Sequence, residues 1–117
     1  MRLVLFLLIL PMTALAAEFP LLKDDRVLSR DEVSALTQRD VVEFYEGGQS
    51  RYAADGRYNY TYQSGGTAFG DYEIGSDGVI CIAFDNGRDR CDRFVHSHGR
   101  IVMITEGGDR YPIRPAR

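Results

Sequence analysis

Residues 81–91 read Cys-Ile-Ala-Phe-Asp-Asn-Gly-Arg-Asp-Arg-Cys, with a cysteine at each end and Asn86 at the centre. Asp85-Asn86-Gly87 is a hairpin-turn signal: glycine takes the positive φ that such turns need, and Asp or Asn tolerates the position before it. The two cysteines come opposite each other only if Phe84 faces Arg88 across a three-residue loop. That loop is a type I turn followed by a glycine bulge, with Gly87 left-handed. A two-residue Asn86-Gly87 turn would pair Asp85 with Arg88 and leave the cysteines out of line. The expectation is a β-hairpin stapled by a Cys81–Cys91 disulfide.

The same punctuation runs along most of the chain. Gly56, Gly78 and Gly99 are spaced 22 and 21 residues apart, and a second series, Gly65 or Gly66, Gly87 and Gly107 or Gly108, follows nearly the same interval. Polar clusters such as Ala54-Asp55-Gly56, Ser76-Asp77-Gly78 and Ser97-His98-Gly99 end in these glycines. The glycine pairs at 47–48, 65–66 and 107–108 lack the lysine and following helix of a phosphate loop, so they too read as turns. Between the turns lie alternating segments, and the strands predicted are 41–45, 49–53, 57–63, 67–74, 79–84, 88–95, 100–105 and 110–113. Tyr58, Tyr60 and Tyr62 share one face of their strand, as do Tyr72 and Ile74, and Ile80, Ile82 and Phe84. The fold class expected is mainly β, an antiparallel meander of about six to eight strands. Such a sheet leaves exposed edges unless it curls into a small or partly open barrel.

One short N-terminal helix is expected at about 29–38. Ser29 and Glu32 form a capping box, and Leu28 and Val33 occupy the two positions of a hydrophobic staple. A helix of this length is unstable alone and must dock, most economically over one opening of the barrel. Residues 18–28 show no period and contain Pro20, and they read as an extended arm without regular structure.

The N-terminus has the three parts of a signal peptide: Arg2, an unbroken apolar run at 3–10, and Ala14-Leu15-Ala16 after Pro11. The run is far shorter than the roughly 20 residues of a membrane-spanning helix. Cleavage is expected after Ala16, or after Ala17, leaving residues 17–117 as a single domain with no transmembrane segment and a periplasmic or secreted location. Two cysteines in an exported chain are most simply one disulfide. Their spacing does not resemble the Cys-x-x-Cys of an active dithiol. Without Arg2, 13 of the 14 basic residues remain against 17 acidic ones, a net charge of −4. A mildly acidic chain with scattered arginines is not a nucleic-acid binder.

Three constellations could carry chemistry. Tyr58, Tyr60, Tyr62 and Tyr72 bring apolar bodies with hydroxyls and suit a ligand-lined groove, though the stripe reads first as the core face of a half-buried strand, since so small a sheet needs aromatic mass to fill it. His96 and His98 are weak metal candidates, with Asp92 or Asp77 as a conceivable third ligand; zinc needs three or four convergent groups, and Ser97-His98-Gly99 reads as a turn that would scatter them. Asp71 and Glu73 lie on one strand face in the manner of an acid/base pair, or of a solvated surface. No catalytic residue is assigned, and nothing calls for a cofactor.

Asp-Gly-Arg-Tyr-x-Tyr at 55–60, Gly-Asp-Tyr-Glu-Ile at 70–74, Asp-Gly-Val-Ile-Cys at 77–81 and Arg-Cys-Asp at 90–92 follow the signal peptide and the Ser-x-x-Glu helix in order. This order resembles a group of small exported proteins of unknown function common in alphaproteobacteria, in which a tryptophan is frequent where Tyr72 stands. The resemblance implies a periplasmic β-meander and transfers no catalytic residues. The function expected is a small binding or envelope-associated interaction module, its partner a small ligand or an envelope protein. The alternatives are a small hydrolase working through Asp71, Glu73 or the histidines, and a structural or stress-related protein without a small ligand.

Overall fold

In the computed structural model, which describes residues 19–116, Cys81 and Cys91 are bonded and directly opposed, flanked by Ile80↔Asp92 and Ile82↔Arg90. The signal-peptide reading of residues 1–16 lies outside the described residues. Phe84 N–H donates to Arg88 O at 2.8 Å, Gly87 N–H donates to Phe84 O at 3.0 Å, and Gly87 has φ 89°. This is the three-residue loop that the cysteine spacing selects. Five more hairpins close in the same way, with paired ends Phe44/Gly48, Ala53/Arg57, Tyr62/Gly66, Gly75/Val79 and Thr105/Asp109. Asp55, Asp77 and Asn86 each turn their side chain back to accept the backbone N–H two residues on, which fixes the bend before the glycine.

The described elements are β1 (Arg26–Val27), α1 (Arg30–Thr37), β2 (Val42–Glu43), β3 (Gln49–Tyr52), β4 (Arg57–Thr61), β5 (Thr67–Ile74), β6 (Ile80–Phe84), β7 (Asp89–Ser97), β8 (Arg100–Thr105) and β9 (Arg110–Pro112). Strands β2 to β9 pair in chain order, each antiparallel to the next, and curl into a half-barrel. Its first and last strands touch at one bridge, Phe44↔Ile113, flanked by Tyr45 N–H to Pro112 O at 3.1 Å and Arg114 N–H to Glu43 O at 2.7 Å.

Two local readings are corrected. The arm expected to lack regular structure contributes β1, which pairs with the far half of β7 through Arg26↔His96 and Val27↔Val95. It can do so because β6 occupies that edge of β7 only as far as Asp92. The turn after β7 is also shorter than expected. Ser97 pairs with Arg100, and His98 and Gly99 alone make the loop, with φ 50° and 78°. Strand β7 therefore continues through Ser97, and His96 is a strand residue instead of an exposed turn residue.

Helix α1 begins at the expected cap: Ser29 Oγ accepts from Glu32 N–H at 3.2 Å, and Glu32 Oε1 accepts from Ser29 N–H at 3.1 Å. Its Val33 and Leu36 join Val42, Phe44, Tyr52, Tyr58, Ile80, Ile82, Phe94, Met103 and Ile113 in one core. The helix sits over the end of the half-barrel that carries the 54–56 and 76–78 turns. There Gly78 lies so close to Leu28 O and Arg30 N that a Cβ would meet them at 2.9 and 3.3 Å. A smaller apolar cluster of Val95, Val102 and Ile104 forms on the opposite face of β7 and β8, with Phe19 of the arm packed against it. The arm is tied down by Asp25, whose carboxylate takes both Arg110 guanidinium nitrogens at 2.8 and 2.9 Å.

Replacing both cysteines by alanine should destabilise the domain by about 2.5–3 kcal/mol, the chain-entropy value for so short a loop. Chemical denaturation of the variant beside the oxidised parent measures it. Equal midpoints would show that the staple adds nothing. The arm gives a second expectation. The hydrogen bond from Arg110, with the Leu22 N–H behind it, holds the Asp25 carboxyl down at about 2, against an ordinary 3.8. A lowered carboxylate pKa stabilises the fold above the ordinary value, and that stability is lost as pH falls through 3.8 toward about 2. Asp25→Asn should flatten the acid limb of the unfolding-midpoint profile in this window and leave the neutral plateau flat. Glu32, also held near 2 by Arg26, and Asp85, lowered by its hydrogen bond from Arg57, contribute to the slope that remains.

Candidate binding cup

In an up-and-down meander alternate turns fall at opposite ends, so 45–47, 63–65, 85–87 and 106–108 lie at the end away from α1. Between the 45–47, 63–65 and 106–108 turns is a cavity of about 460 Å³ whose apolar wall comprises Phe44, Tyr60, Tyr62, Met103 and Tyr111. The rings meet steeply. Tyr60 and Tyr62 lie 4.9 Å apart between centroids at 82°, and Phe44 and Tyr111 lie 6.4 Å apart at 80°. Phe44 also approaches Tyr60 at 6.2 Å and so backs both walls. This is a cup of edges and faces, with no parallel stack.

Arg90 lines the cavity from below. Inward alternation along β7 brings it there: Cys91 faces outward at its disulfide, so Arg90 and Asp92 face in, across from Ile82 and Ile80. Asp92 is fully buried and grips the guanidinium, accepting from Arg90 Nε at 2.9 Å and from Nη2 at 3.1 Å. Nη2 also donates to Tyr58 OH at 3.3 Å, and that hydroxyl shares a 2.8 Å hydrogen bond with buried Ser50 Oγ. The Phe84 ring lies 5.6 Å from the guanidinium carbon. Burial pushes the Asp92 carboxyl up, with Arg90 opposing it. Burial, the largest single influence, would lower Arg90, but the charge and hydrogen bonds of Asp92 together with those of Tyr58 outweigh it and keep the guanidinium protonated. Tyr52 packs against Tyr58 at 5.1 Å, and its buried hydroxyl has no hydrogen-bond partner among the described residues.

The rim is acidic. Glu46 Oε1 accepts from Tyr60 OH at 2.8 Å and from Gly48 N–H at 2.9 Å, which fixes that carboxylate over the wall. Burial, and then this bond to a carboxylate, push the Tyr60 hydroxyl upward. Asp109 also lines the cup, and its backbone N–H donates to Thr105 Oγ1.

The tyrosines singled out in the sequence divide three ways. Tyr60 and Tyr62 stand in the cup. Tyr58 lies beneath it as part of the buried network. Tyr72 is at the other end, donating to Ala53 O at 2.8 Å and packing edge-on against Tyr52. His96 lines a shallow depression beside α1 with Leu28, Leu36 and Ile101. His98 is exposed in its turn, 3.8 Å from Asp24. Asp77 caps its own turn and Asp92 is bound to Arg90, so neither stands with the histidines as a metal ligand. No group of three His, Cys, Asp or Glu side chains suited to a metal occurs among the described residues. Asp71 and Glu73 face outward, away from the cup. Arg57 bridges Asp71 to Asp85, while Glu73 lies beside the disulfide.

Phe44, Tyr111, Met103 and Arg90 were not singled out from the sequence. For Arg90 a signal was present. The hairpin register that opposes the cysteines also opposes Arg90 to Ile82, placing a charge on a core-facing position.

Removing one partner of a buried pair leaves the other charge uncompensated. Asp92→Ala should therefore destabilise the domain by about 3–5 kcal/mol, while the double change Arg90→Met with Asp92→Leu should cost far less. Denaturant unfolding of the two variants decides it, and equal losses would mean that the pair acts through shape alone. No family model, curated protein or solved structure matches this chain.

Proposed function

We propose that this chain is a small exported binding domain that takes up a small organic ligand in the cup between the 45–47, 63–65 and 106–108 turns. The carrying observation is the cup itself: a cavity of about 460 Å³, walled by aromatic rings and open at the end that α1 does not cover. Ligand sites are typically concave, mostly apolar and furnished with a few fixed polar groups. Here those groups are Arg90, Glu46 and the tyrosine hydroxyls.

The rest of the molecule supports binding over catalysis. The carboxylates that resemble an acid/base pair lie on the outer surface, and the buried Arg90 and Asp92 are engaged with each other. Export is supported by the N-terminal sequence, by the disulfide, which persists in oxidising compartments, and by the resemblance to small exported β-meander proteins. No helix among the described residues is long and apolar enough to cross a membrane.

The test is protein-observed NMR with labelled tyrosine rings and methionine methyls, against a fragment set spanning sugars, aromatic acids, amines and neutral aromatics. Binding in the cup should move Tyr60, Tyr62, Tyr111 and Met103 and leave Tyr72 in place. Tyr62→Ala, at a half-exposed ring whose hydroxyl makes no hydrogen bond among the described residues, should weaken the best fragment roughly tenfold, the scale of one aromatic contact of about 1.4 kcal/mol. Shifts centred on Tyr72, or none from any fragment, would overturn the assignment.

A further inference from the structure

The charges around the cup are unequal in a way that specifies what enters it. The one cation lining it among the described residues, Arg90, is already neutralised from below: fully buried Asp92 holds its Nε and Nη2, and Tyr58 takes a further contact with Nη2. The two anions are not neutralised. Glu46 bonds only to a hydroxyl and a backbone N–H, and neither it nor Asp109 forms an ion pair among the described residues. The cup therefore carries net negative charge at its mouth.

The walls favour the same sign. Aromatic faces present the negative side of their quadrupole, and a cation held among several of them is attracted by each. Tyr60, Tyr62 and Tyr111 line the cup and are each at least partly exposed, with Tyr60 and Tyr62 set edge to face instead of stacked, while Phe44, only 2 % exposed, backs Tyr60 and Tyr111 from the core. Tyr60 donates its hydroxyl proton to Glu46, which leaves electron density on the ring and keeps the carboxylate at the wall. An anionic ligand would meet two carboxylates and only an arginine whose charge Asp92 already balances.

Resting on the cup as the binding site, we infer that its ligand is an organic cation, an amine or quaternary ammonium group caged by Tyr60, Tyr62 and Tyr111, with Phe44 behind them and Glu46 and Asp109 as counter-charges. The cation's alkyl surface replaces water against the rings, and its charge faces the two carboxylates. A bare metal ion does not fit this chemistry, because the wall offers rings where such an ion needs converging oxygens.

Three probes of similar size separate the possibilities: choline, its uncharged carbon isostere 3,3-dimethylbutan-1-ol, and benzoate. Titrations are followed on the Tyr60, Tyr62, Tyr111 and Met103 resonances of the full mature chain at low and moderate salt. Choline should bind at least tenfold more tightly than the neutral isostere, and more weakly as salt rises. Asp109→Asn and Glu46→Gln should each lower choline affinity several-fold and leave the isostere unchanged; glutamine still accepts from Tyr60 and Gly48, so that variant keeps the wall in place. If the isostere binds as well as choline, or benzoate binds best, the cation assignment is overturned while the cup stands as a ligand site. If no probe of any charge moves the cup resonances, the site itself is refuted and the cation assignment falls with it.

Discussion

Alternation along β6 and β7 governs the molecule, and the opposed pair Cys81↔Cys91 sets its phase. Side chains in a strand alternate faces, so a slip of one residue would turn every inward group outward. With the sulfurs outside, Ile80, Ile82, Phe84, Arg90, Asp92 and Phe94 all face inward. The staple thus does more than shorten the unfolded chain. It makes the arrangement that buries Arg90 and Asp92 the one in which the cysteines meet. A slipped register would relieve the two charges of desolvation but would separate the sulfurs and expose the isoleucines.

The interior has two parts with different chemistry. Near α1 it is apolar, filled by Leu28, Val33, Leu36, Ile80 and their neighbours. Toward the open end the filling becomes a polar chain of Ser50, Tyr58, Arg90 and Asp92, and above it the rings of the cup. A charged pair inside a domain this small is costly to desolvate and adds little net stability. What it supplies is position: Asp92 holds the guanidinium flat at the base of the cup, where a hydrophobic pair of equal volume would leave a plain apolar floor. The burden of stability falls on the apolar end, the staple and the docked arm.

Much of this architecture was legible from short-range signals. The capping box at Ser29 and Glu32, the three-residue loop at Asp85-Asn86-Gly87 and the tyrosine face of β4 are decided by residues within a few positions of each other, where backbone chemistry acts directly. The two-residue turn at His98-Gly99 was missed because it needs a left-handed non-glycine residue, which composition does not announce. Strand β1 was missed because two residues have no period; it exists only where β6 leaves an edge of β7 vacant. The cup was half legible. Tyr60 and Tyr62 share a strand, but Phe44 and Tyr111 come from opposite ends of the sheet and meet them only when it curls. Tyr72, on the right face of its strand, lies near the wrong end, since stagger between strands is a property of the curled sheet.

The single bridge between Phe44 and Ile113 bears on how the molecule assembles. Every other contact between neighbours along the β2-to-β9 path joins strands adjacent in sequence, so each closes a short loop at little entropic expense. The seam alone joins the two ends of the meander, through one bridge, two flanking hydrogen bonds and the packing of Phe44 and Ile113 in the core. The hairpins therefore close at a lower entropic cost than the seam. Phe44 and Tyr111, two walls of the cup, stand on either side of it. A parting of the seam would separate these two side chains and widen the cup.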